Sequence, residues 1–324
     1  MRAIGKTFAT LIAAGAALVM AGSAYAQDRV RVGVFPVASS LPLFVAIDQG
    51  YFTEENLDIE TIRLIGGPPN IAALIQNQID VAAVLVTIEG MNANLRKDGV
   101  AMYISVNSQN EQYKMEQFVV RPDLGITSLA ELRGKRIMSA PGPANVQMAR
   151  AALAAVGLND GDYQLDQLDM GQHVNAMTAR TFDAGYTLEP NASVMRQNGV
   201  AETLEAGVIA RYVLGDPNAN AWVGGGAMSS DFINARPDVA RRFTAAWERA
   251  INLINENPDE ARKSLAKNTF TPDDLVDTIP LVKFTMVSDL TPENIDEFQR
   301  FIDFATEQNI LDQRVDVTKY LKSF

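Results

Sequence analysis

The sequence predicts an α/β protein of two domains. Short apolar runs alternate with amphipathic stretches, and this alternation is typical of strand–helix–strand repetition with right-handed crossovers and parallel sheets. The series starts afresh after Pro122. A chain of 324 residues, 47% of them hydrophobic, is long enough to bury two cores.

The first series of elements begins with an alternating apolar run that indicates a strand. We predict strands over residues 30–35, 57–62, 81–86 and 101–106, and helices over 42–50, 71–78 and 89–97. The unbroken apolar run 81–86 indicates a strand that is buried on both faces. Pro42 suits the first turn of its helix, because a proline there removes no helical hydrogen bond.

The second series has the same character and ends in a helical tail. We predict strands over 135–138, 163–168 and 182–187, and helices over 144–156 and 173–180. After Pro237, apolar residues recur at helical spacing, which indicates a long helix. Two more helices are expected over 258–267 and 292–307, with no further strand, and we expect this tail to pack on one domain.

The first 26 residues are typical of a secretory signal peptide. Arg2 and Lys6 precede an apolar stretch, and the small residues of Ala24-Tyr25-Ala26 mark a cleavage site before Gln27. The alternative is an uncleaved membrane anchor, but the apolar stretch is short for a membrane span. We therefore expect an exported chain that begins near Gln27.

Composition excludes several kinds of site and partner. The chain has no cysteine, which excludes disulfides, thiolate metal sites and the lipid anchor of a bacterial lipoprotein. Its formal charge of −11 disfavours binding to nucleic acid or anionic lipid. The single histidine leaves little material for a metal site, so no metal and no cofactor are expected.

Motifs of catalysis are also missing from the sequence. It contains no G-x-S-x-G, H-E-x-x-H, P-loop or G-x-G-x-x-G motif. One histidine and no cysteine leave few nucleophile–base pairs. We expect a protein that is not an enzyme, although a hydrolase that uses two carboxylates remains an alternative.

Several segments, in order along the chain, resemble the nitrate/sulfonate/taurine family of ABC substrate-binding proteins, which includes binders of thiamine-related pyrimidines. They include Ala46-Ile47-Asp48-Gln49-Gly50-Tyr51-Phe52, Glu55-Asn56-Leu57-Asp58-Ile59-Glu60, Ile79-Asp80-Val81-Ala82, the stretch 126–135, Asp183-Ala184 and Glu189-Pro190. The turn at 140–145 departs from the family, because Pro141 and Pro143 remove two backbone N–H donors that would receive an anion.

The resemblance implies a type II periplasmic binding fold of two lobes, each a mostly parallel sheet flanked by helices, joined by a two-strand hinge. Lobe 1 would comprise residues 27–120 and 227–324, and lobe 2 residues 121–226. The chain would cross between the lobes near 118–121 and 222–228. The resemblance also implies a monomer in the periplasm that delivers its ligand to an ABC permease in the inner membrane.

Ligands of open α/β sheets lie beyond the carboxyl ends of the strands. The loops there are 36–41, 66–70, 86–90, 139–145, 170–175 and 186–191, and none contains lysine or arginine. A buried anion of several charges would need such partners. The ligand is therefore expected to be neutral, zwitterionic or monoanionic: a sulfonate or taurine-like compound, a carboxylate or a pyrimidine.

The candidate ligand-binding residues come from these loops. They are Ser39, Ser40, Leu41, Gly67, Asn70, Thr87, Gly142, Asn145, His173, Tyr186, Glu189 and Asn191. Each has an alternative structural role: a helix cap for the serines and Asn145, a turn for 67–70, a solvated or structural side chain for His173 and Glu189, and core packing for Tyr186. The sequence thus predicts a periplasmic binder that closes on a small molecule, with a receptor for a sensor or chemoreceptor as the alternative.

Overall fold

The structure is a computed structural model that describes residues 27–269 and 271–324. The expected signal peptide and its cleavage site lie outside the described residues. Within this part of the chain, no helix is long and apolar enough to cross a membrane.

The described residues form two sheets with helices around them. The strands are β1 (Asp28–Val34), β2 (Leu57–Arg63), β3 (Val81–Val86), β4 (Met102–Tyr103), β5 (Ser105–Gln109), β6 (Glu116–Val120), β7 (Arg136–Ser139), β8 (Gln164–Gln167), β9 (Ala184–Leu188), β10 (Glu202–Ala206), β11 (Ala221–Met228) and β12 (Lys283–Met286). The helices are α1 (Leu41–Asp48), α2 (Tyr51–Glu54), α3 (Gly67–Ile75), α4 (Thr87–Arg96), α5 (Pro143–Ala155), α6 (His173–Thr178), α7 (Asn191–Gln197), α8 (Ser230–Ala235), α9 (Pro237–Glu256), α10 (Pro258–Asn268) and α11 (Pro292–Glu307).

The two sheets confirm the α/β fold class but correct the expected strand directions. The first sheet has the order β12-β5-β11-β3-β1-β2, with β4 beside β11, and the second has the order β10-β6-β9-β7-β8. Strand β1 is parallel to β2 and β3, whereas β11 is antiparallel to β3 and β5. In the second sheet, β7 is parallel to β8 and β9, whereas β6 is antiparallel to β9 and β10. Both sheets are mixed rather than mostly parallel. The sequence did not predict this because apolar periodicity indicates where a strand lies but not its direction.

The chain passes between the sheets twice, at places that differ from those expected. It leaves the first sheet after Gln109 and enters the second at Glu116, and it returns between Ala206 and Ala221. The expected crossings at 118–121 and 222–228 lie largely within β6 and β11, which belong to the sheets themselves. We call the part built on the first sheet lobe 1 and the part built on the second sheet lobe 2. The division at residues 120 and 227 stays a prediction.

The tail packs on lobe 1, and one strand in it was missed by the sequence. Helices α9, α10 and α11 lie where periodicity predicts them, and α9 contacts α1 and α2. Trp247 of α9 is buried, and its Nε1–H donates to Ser105 Oγ of β5 at 2.9 Å. The expectation of no further strand is wrong, because β12 pairs antiparallel with β5. This edge strand is four residues long, too short for a clear alternating pattern.

Two glycines set the direction in which the chain enters helices α3 and α5, which border the cleft between the lobes. Gly66, with φ 86°, precedes α3 in lobe 1, and Gly142, with φ 102°, precedes α5 in lobe 2. Both φ angles are in a region that side chains with a Cβ rarely adopt. Prolines then occupy the first turn of each helix, where their fixed φ suits the helix and the missing N–H does no harm. The two turns face each other, since a Cβ at Gly66 would lie 3.9 Å from the carbonyl oxygen of Pro141.

Candidate functional site

A cavity of about 60 Å³ lies between the two sheets. Its wall comes from both lobes and from both crossing regions. The polar side chains in the wall are those of Ser39, Asn107, Gln109, Glu116, Asn145 and Tyr186. Most of the remaining wall is apolar and includes Phe35, Val37, Val84, Met115, Met148, Leu188, Ile209 and Phe301. Among the residues that the structure describes, no lysine or arginine lines this cavity.

Glu116 is the acidic residue of the cavity wall. It begins β6 and is fully buried. Its Oε1 accepts a hydrogen bond from the backbone N–H of Ile209 at 3.0 Å, while its Oε2 is buried and has no partner among the described residues. Burial is the main cause that raises the pKa of Glu116 to about 7, because a charge is poorly solvated there. Backbone N–H donors offset only part of this effect.

Three more polar side chains of the wall have unused hydrogen-bonding groups. Asn107 of β5 is buried, and its Oδ1 finds no partner within the described residues. The hydroxyls of Ser39 and Tyr186 line the same cavity, and neither donates to nor accepts from another described residue. The Tyr186 ring packs edge-on against Phe118, with 5.3 Å between the ring centroids, which fixes its position in the wall.

Glu89 of α4 lies where the lobes meet beside the cavity. Its Oε1 accepts a hydrogen bond from the backbone N–H of Ala144, the second residue of α5, at 3.3 Å. Its Oε2 is buried without a described partner, and burial raises the pKa of the carboxyl to about 7. A Cβ at Gly67 would lie 1.5 Å from Oε2, and one at Gly142 would lie 2.9 Å from Oε1. Both glycines therefore make room for this carboxyl group.

Two further contacts join the lobes across the cleft. The backbone N–H of Ala38 donates to the carbonyl oxygen of Glu189 at 3.2 Å. Gln197 Nε2 of α7 donates to Asp274 Oδ2 of the tail at 2.9 Å. Together with the hydrogen bond between Glu89 and Ala144, these contacts join the two lobes around the cavity.

Four of the predicted ligand-binding residues line the cavity. They are Ser39, Gly67, Asn145 and Tyr186. Asn145 Nδ2 already donates one hydrogen to the Pro141 carbonyl at 2.7 Å, which leaves its amide oxygen and its second N–H for a ligand. Gly142 is close by, beside Glu89, and its own N–H donates to Gln167 Oε1 at 3.1 Å.

Four others lie in lobe 1 behind the cavity wall, where they have structural contacts. Ser40 Oγ donates to the Phe35 carbonyl at 2.6 Å, and Thr87 Oγ1 donates to the Trp222 carbonyl at 2.6 Å. Asn70 Nδ2 donates to the carbonyls of Leu64 and Gly66, and Leu41 belongs to the apolar core.

The remaining three lie in lobe 2, also behind the wall. His173 is buried between Thr187 Oγ1, 2.9 Å from its Nδ1, and the Leu168 carbonyl, 3.0 Å from its Nε2. Glu189 is buried, and its carboxylate accepts from Gln117, Arg196 and the Ser193 N–H. Asn191 Nδ2 donates to the Met170 carbonyl at 2.5 Å. Their contact with a ligand stays a prediction that their present partners do not favour.

Sequence reasoning missed Glu89, Asn107 and Glu116. Glu89 falls inside the predicted loop 86–90, but nothing in the pattern distinguished it from a solvated acid. Asn107 and Glu116 flank the first crossing, outside every loop at the carboxyl end of a predicted strand. An acidic residue two positions before the apolar run Phe118-Val119-Val120 was the available signal. Within residues 27–269 and 271–324, no three histidine or acidic side chains are placed to hold a metal ion.

This arrangement, two α/β lobes with a cavity between them and two chain crossings, defines the periplasmic-binding-protein class of fold. The chain belongs to the NMT1/THI5-like family, whose sequence model matches residues 38–261, more than half of the chain. The resemblance noted in the sequence is thereby confirmed at the level of the family.

Solved structures show the same fold. The chain is similar to the alkanesulfonate-binding protein SsuA from Xanthomonas axonopodis pv. citri bound to MOPS, with a TM-score of 0.71 and 20% identity over 91% of this chain and 98% of that one. It is also similar to the periplasmic nitrate-binding protein NrtA from Synechocystis PCC 6803, with a TM-score of 0.70 and 16% identity over 90% of this chain and 84% of that one. A protein of Brucella abortus (strain 2308) named as a binding protein is 22% identical over 262 residues, 80% of this chain and 77% of its own.

Proposed function

We propose that this protein is the periplasmic solute-binding component of an ABC importer, which captures a small organic molecule by closure of its two lobes. The observation that carries the proposal is the cavity between the sheets, whose wall is shared by both lobes. A ligand that contacts both lobes binds the closed form better than the open form and shifts the equilibrium toward closure. The closed form would then dock on the permease in the inner membrane.

The chemistry of the wall supports binding rather than turnover. It offers apolar side chains with a few hydroxyl, amide and carboxyl groups, a composition typical of small-molecule sites. The two solved neighbours described above are named as an alkanesulfonate-binding and a nitrate-binding protein. From the sequence, the ligand is neutral, zwitterionic or monoanionic, and sulfonates, carboxylates and pyrimidines are the classes to compare.

A thermal-shift screen of residues 27–324 tests the proposal. The protein is unfolded and refolded first to remove any carried ligand, and it is then mixed with taurine, alkanesulfonates, nitrate, carboxylates, amines and thiamine-type pyrimidines. A ligand at about a hundredfold over its Kd adds about 2.7 kcal/mol to the free energy of unfolding, which raises Tm by several degrees. Folded protein that responds to no member of the panel would contradict the proposal for these classes.

Two alternative functions are distinguished by the fate of a ligand that the screen identifies. Recovery of the ligand unchanged after long incubation supports binding, whereas conversion would favour the carboxylate-pair hydrolase. A receptor for a sensor or chemoreceptor would have the same site, so ligand uptake by a deletion strain distinguishes the two functions. Loss of uptake supports import. Retained uptake with lost signalling would favour the receptor.

A further inference from the structure

We propose that Glu116 is the residue that determines the ligand class, and that the ligand is a small, mostly apolar molecule with a cationic N–H group, a protonated amine or amidine. The inference rests on the proposed function, since it describes the ligand of that same cavity. It narrows the ligand classes left open by the sequence to cationic compounds, and it disfavours sulfonates and nitrate.

The first argument is the unused oxygen of a buried acid. Glu116 lines the cavity, has no exposed surface, and uses only Oε1 in a described hydrogen bond. Its Oε2 is buried and without a described partner. Leaving a buried acceptor unpaired is unfavourable, and more so when the group is charged. A neutral donor on the ligand would reduce this penalty, and a cationic donor would reduce it further.

The second argument is that the described cavity wall contains no cationic side chain. No lysine or arginine lines the cavity, and no charged side chain contributes to the pKa of Glu116. By contrast, the buried Glu189 in lobe 2 has its own cation, because Arg196 Nη2 lies 3.3 Å from its Oε1. Glu89 and Glu116 both lack a cation beside them among the described residues, and of these two acids only Glu116 lines the cavity, where a group from outside can reach it.

The third argument concerns anions. A sulfonate or nitrate in this cavity would lie near a carboxyl group with no positive side chain in the wall to offset the repulsion. Asn107 adds a second unpaired oxygen, Oδ1, on the same wall. Because Phe35, Met115, Met148 and other apolar side chains form the rest of the wall, the ligand body should be apolar.

The proposal implies a particular pH dependence of binding. A cation favours the ionised carboxylate, so binding near pH 6 displaces a proton from Glu116, whose pKa is about 7 in the free protein. Affinity should therefore rise about tenfold from pH 6 to pH 8 and then level off. Burial, with a smaller contribution from the charge of Glu116, raises the pKa of Tyr186 well above its usual value, so Tyr186 does not titrate in this range. Glu89, with a pKa of about 7, lies at the lobe contact and needs a control of its own.

The test uses probes that share one apolar body and differ in one group: butylamine, butanol and butanesulfonate, with the benzyl amine and alcohol as a second pair. Isothermal titration calorimetry is run on the wild type, Glu116→Gln, Glu89→Gln and Glu256→Gln. Glu256 is exposed at the end of α9 and serves as the matched control. We expect the amine to bind at least about tenfold more tightly than the alcohol or the sulfonate. Only Glu116→Gln should remove this preference and the rise with pH.

The contrary results are distinct. A sulfonate that binds most tightly, or an amine whose affinity is unchanged in Glu116→Gln, would overturn this inference while leaving the binder intact. A pH profile of the wild type that falls from pH 6 to pH 8 would do the same without any variant. Failure of every probe here and of every compound in the thermal-shift screen would count against the proposed function itself.

Discussion

The carboxyl group of Glu89 in lobe 1 accepts a hydrogen bond from the backbone N–H of Ala144 in lobe 2, across 3.3 Å. The acceptor is on α4 and the donor is in the first turn of α5, where N–H groups have no partner within the helix. This one contact joins helices that flank different sheets. It therefore depends on how far the lobes are closed.

Gly67→Ala should weaken closure. The added Cβ would lie 1.5 Å from Glu89 Oε2, so the carboxyl must move and the hydrogen bond to Ala144 is lost. Gly67 has no positive φ, so an alanine there is not strained by its backbone. We expect a loss of stability of about 1–3 kcal/mol and weaker binding of whichever ligand the screen identifies. Denaturant unfolding and calorimetry measure the two effects.

The double variant Gly67→Ala/Glu89→Ala is the matched test of this steric account. Removing the carboxyl leaves space for the new methyl group, so the second substitution should cancel part of the effect of the first. Strictly additive effects would show that Gly67 acts in another way.

Glu116→Gln should change how stability depends on pH. The pKa of Glu116 is raised from 4.5 to about 7 by folding, so the folded state binds more protons than the unfolded state between these values. The stabilisation is fully present below pH 4.5 and is lost as the pH rises toward 7. The free energy of unfolding of Glu116→Gln relative to wild type should therefore increase by about 3 kcal/mol from pH 4.5 to pH 8. Urea unfolding at several pH values measures it, and parallel curves would refute the burial argument.

His173→Gln should lower stability and leave ligand affinity unchanged. The carbonyl of Leu168 can only accept, so Nε2 carries the proton and Nδ1 accepts from the Thr187 hydroxyl. Burial lowers the pKa of His173 to about 4, so its stabilisation is present above pH 6.5 and is lost as the pH falls toward 4. We expect the variant to lose about 1–3 kcal/mol at pH 7.5 and less at pH 4.5. A marked change in affinity with unchanged stability would instead place His173 in the binding site.

Much of the fold was predictable, because local periodicity reflects burial. The buried run of β3 and the apolar face of α9 were both found at nearly their observed bounds. The direction of β11 was not predictable, since it depends on the chain returning from lobe 2. The short edge strand β12 was missed because its partner β5 lies more than 170 residues earlier in the sequence, at Ser105–Gln109.

The site was predictable only in part. Ser39 and Gly67 were found because they follow β1 and β2, whose carboxyl ends face the cleft. Thr87 and His173 were placed in cleft loops, but their side chains turn to nearby carbonyl and hydroxyl groups. Glu116 was missed because a chain crossing, not a strand-end loop, brings it to the cavity.

Small-angle X-ray scattering of residues 27–324 tests the central claim, that a small molecule is captured by lobe closure. The measurement is made without ligand and with a saturating amount of the tightest ligand from the screen, on the wild type and on Gly67→Ala. The account predicts a smaller radius of gyration for the wild type with ligand, and a weaker decrease for the variant at the same concentration. An unchanged radius in the wild type, with binding shown independently, would contradict capture by closure.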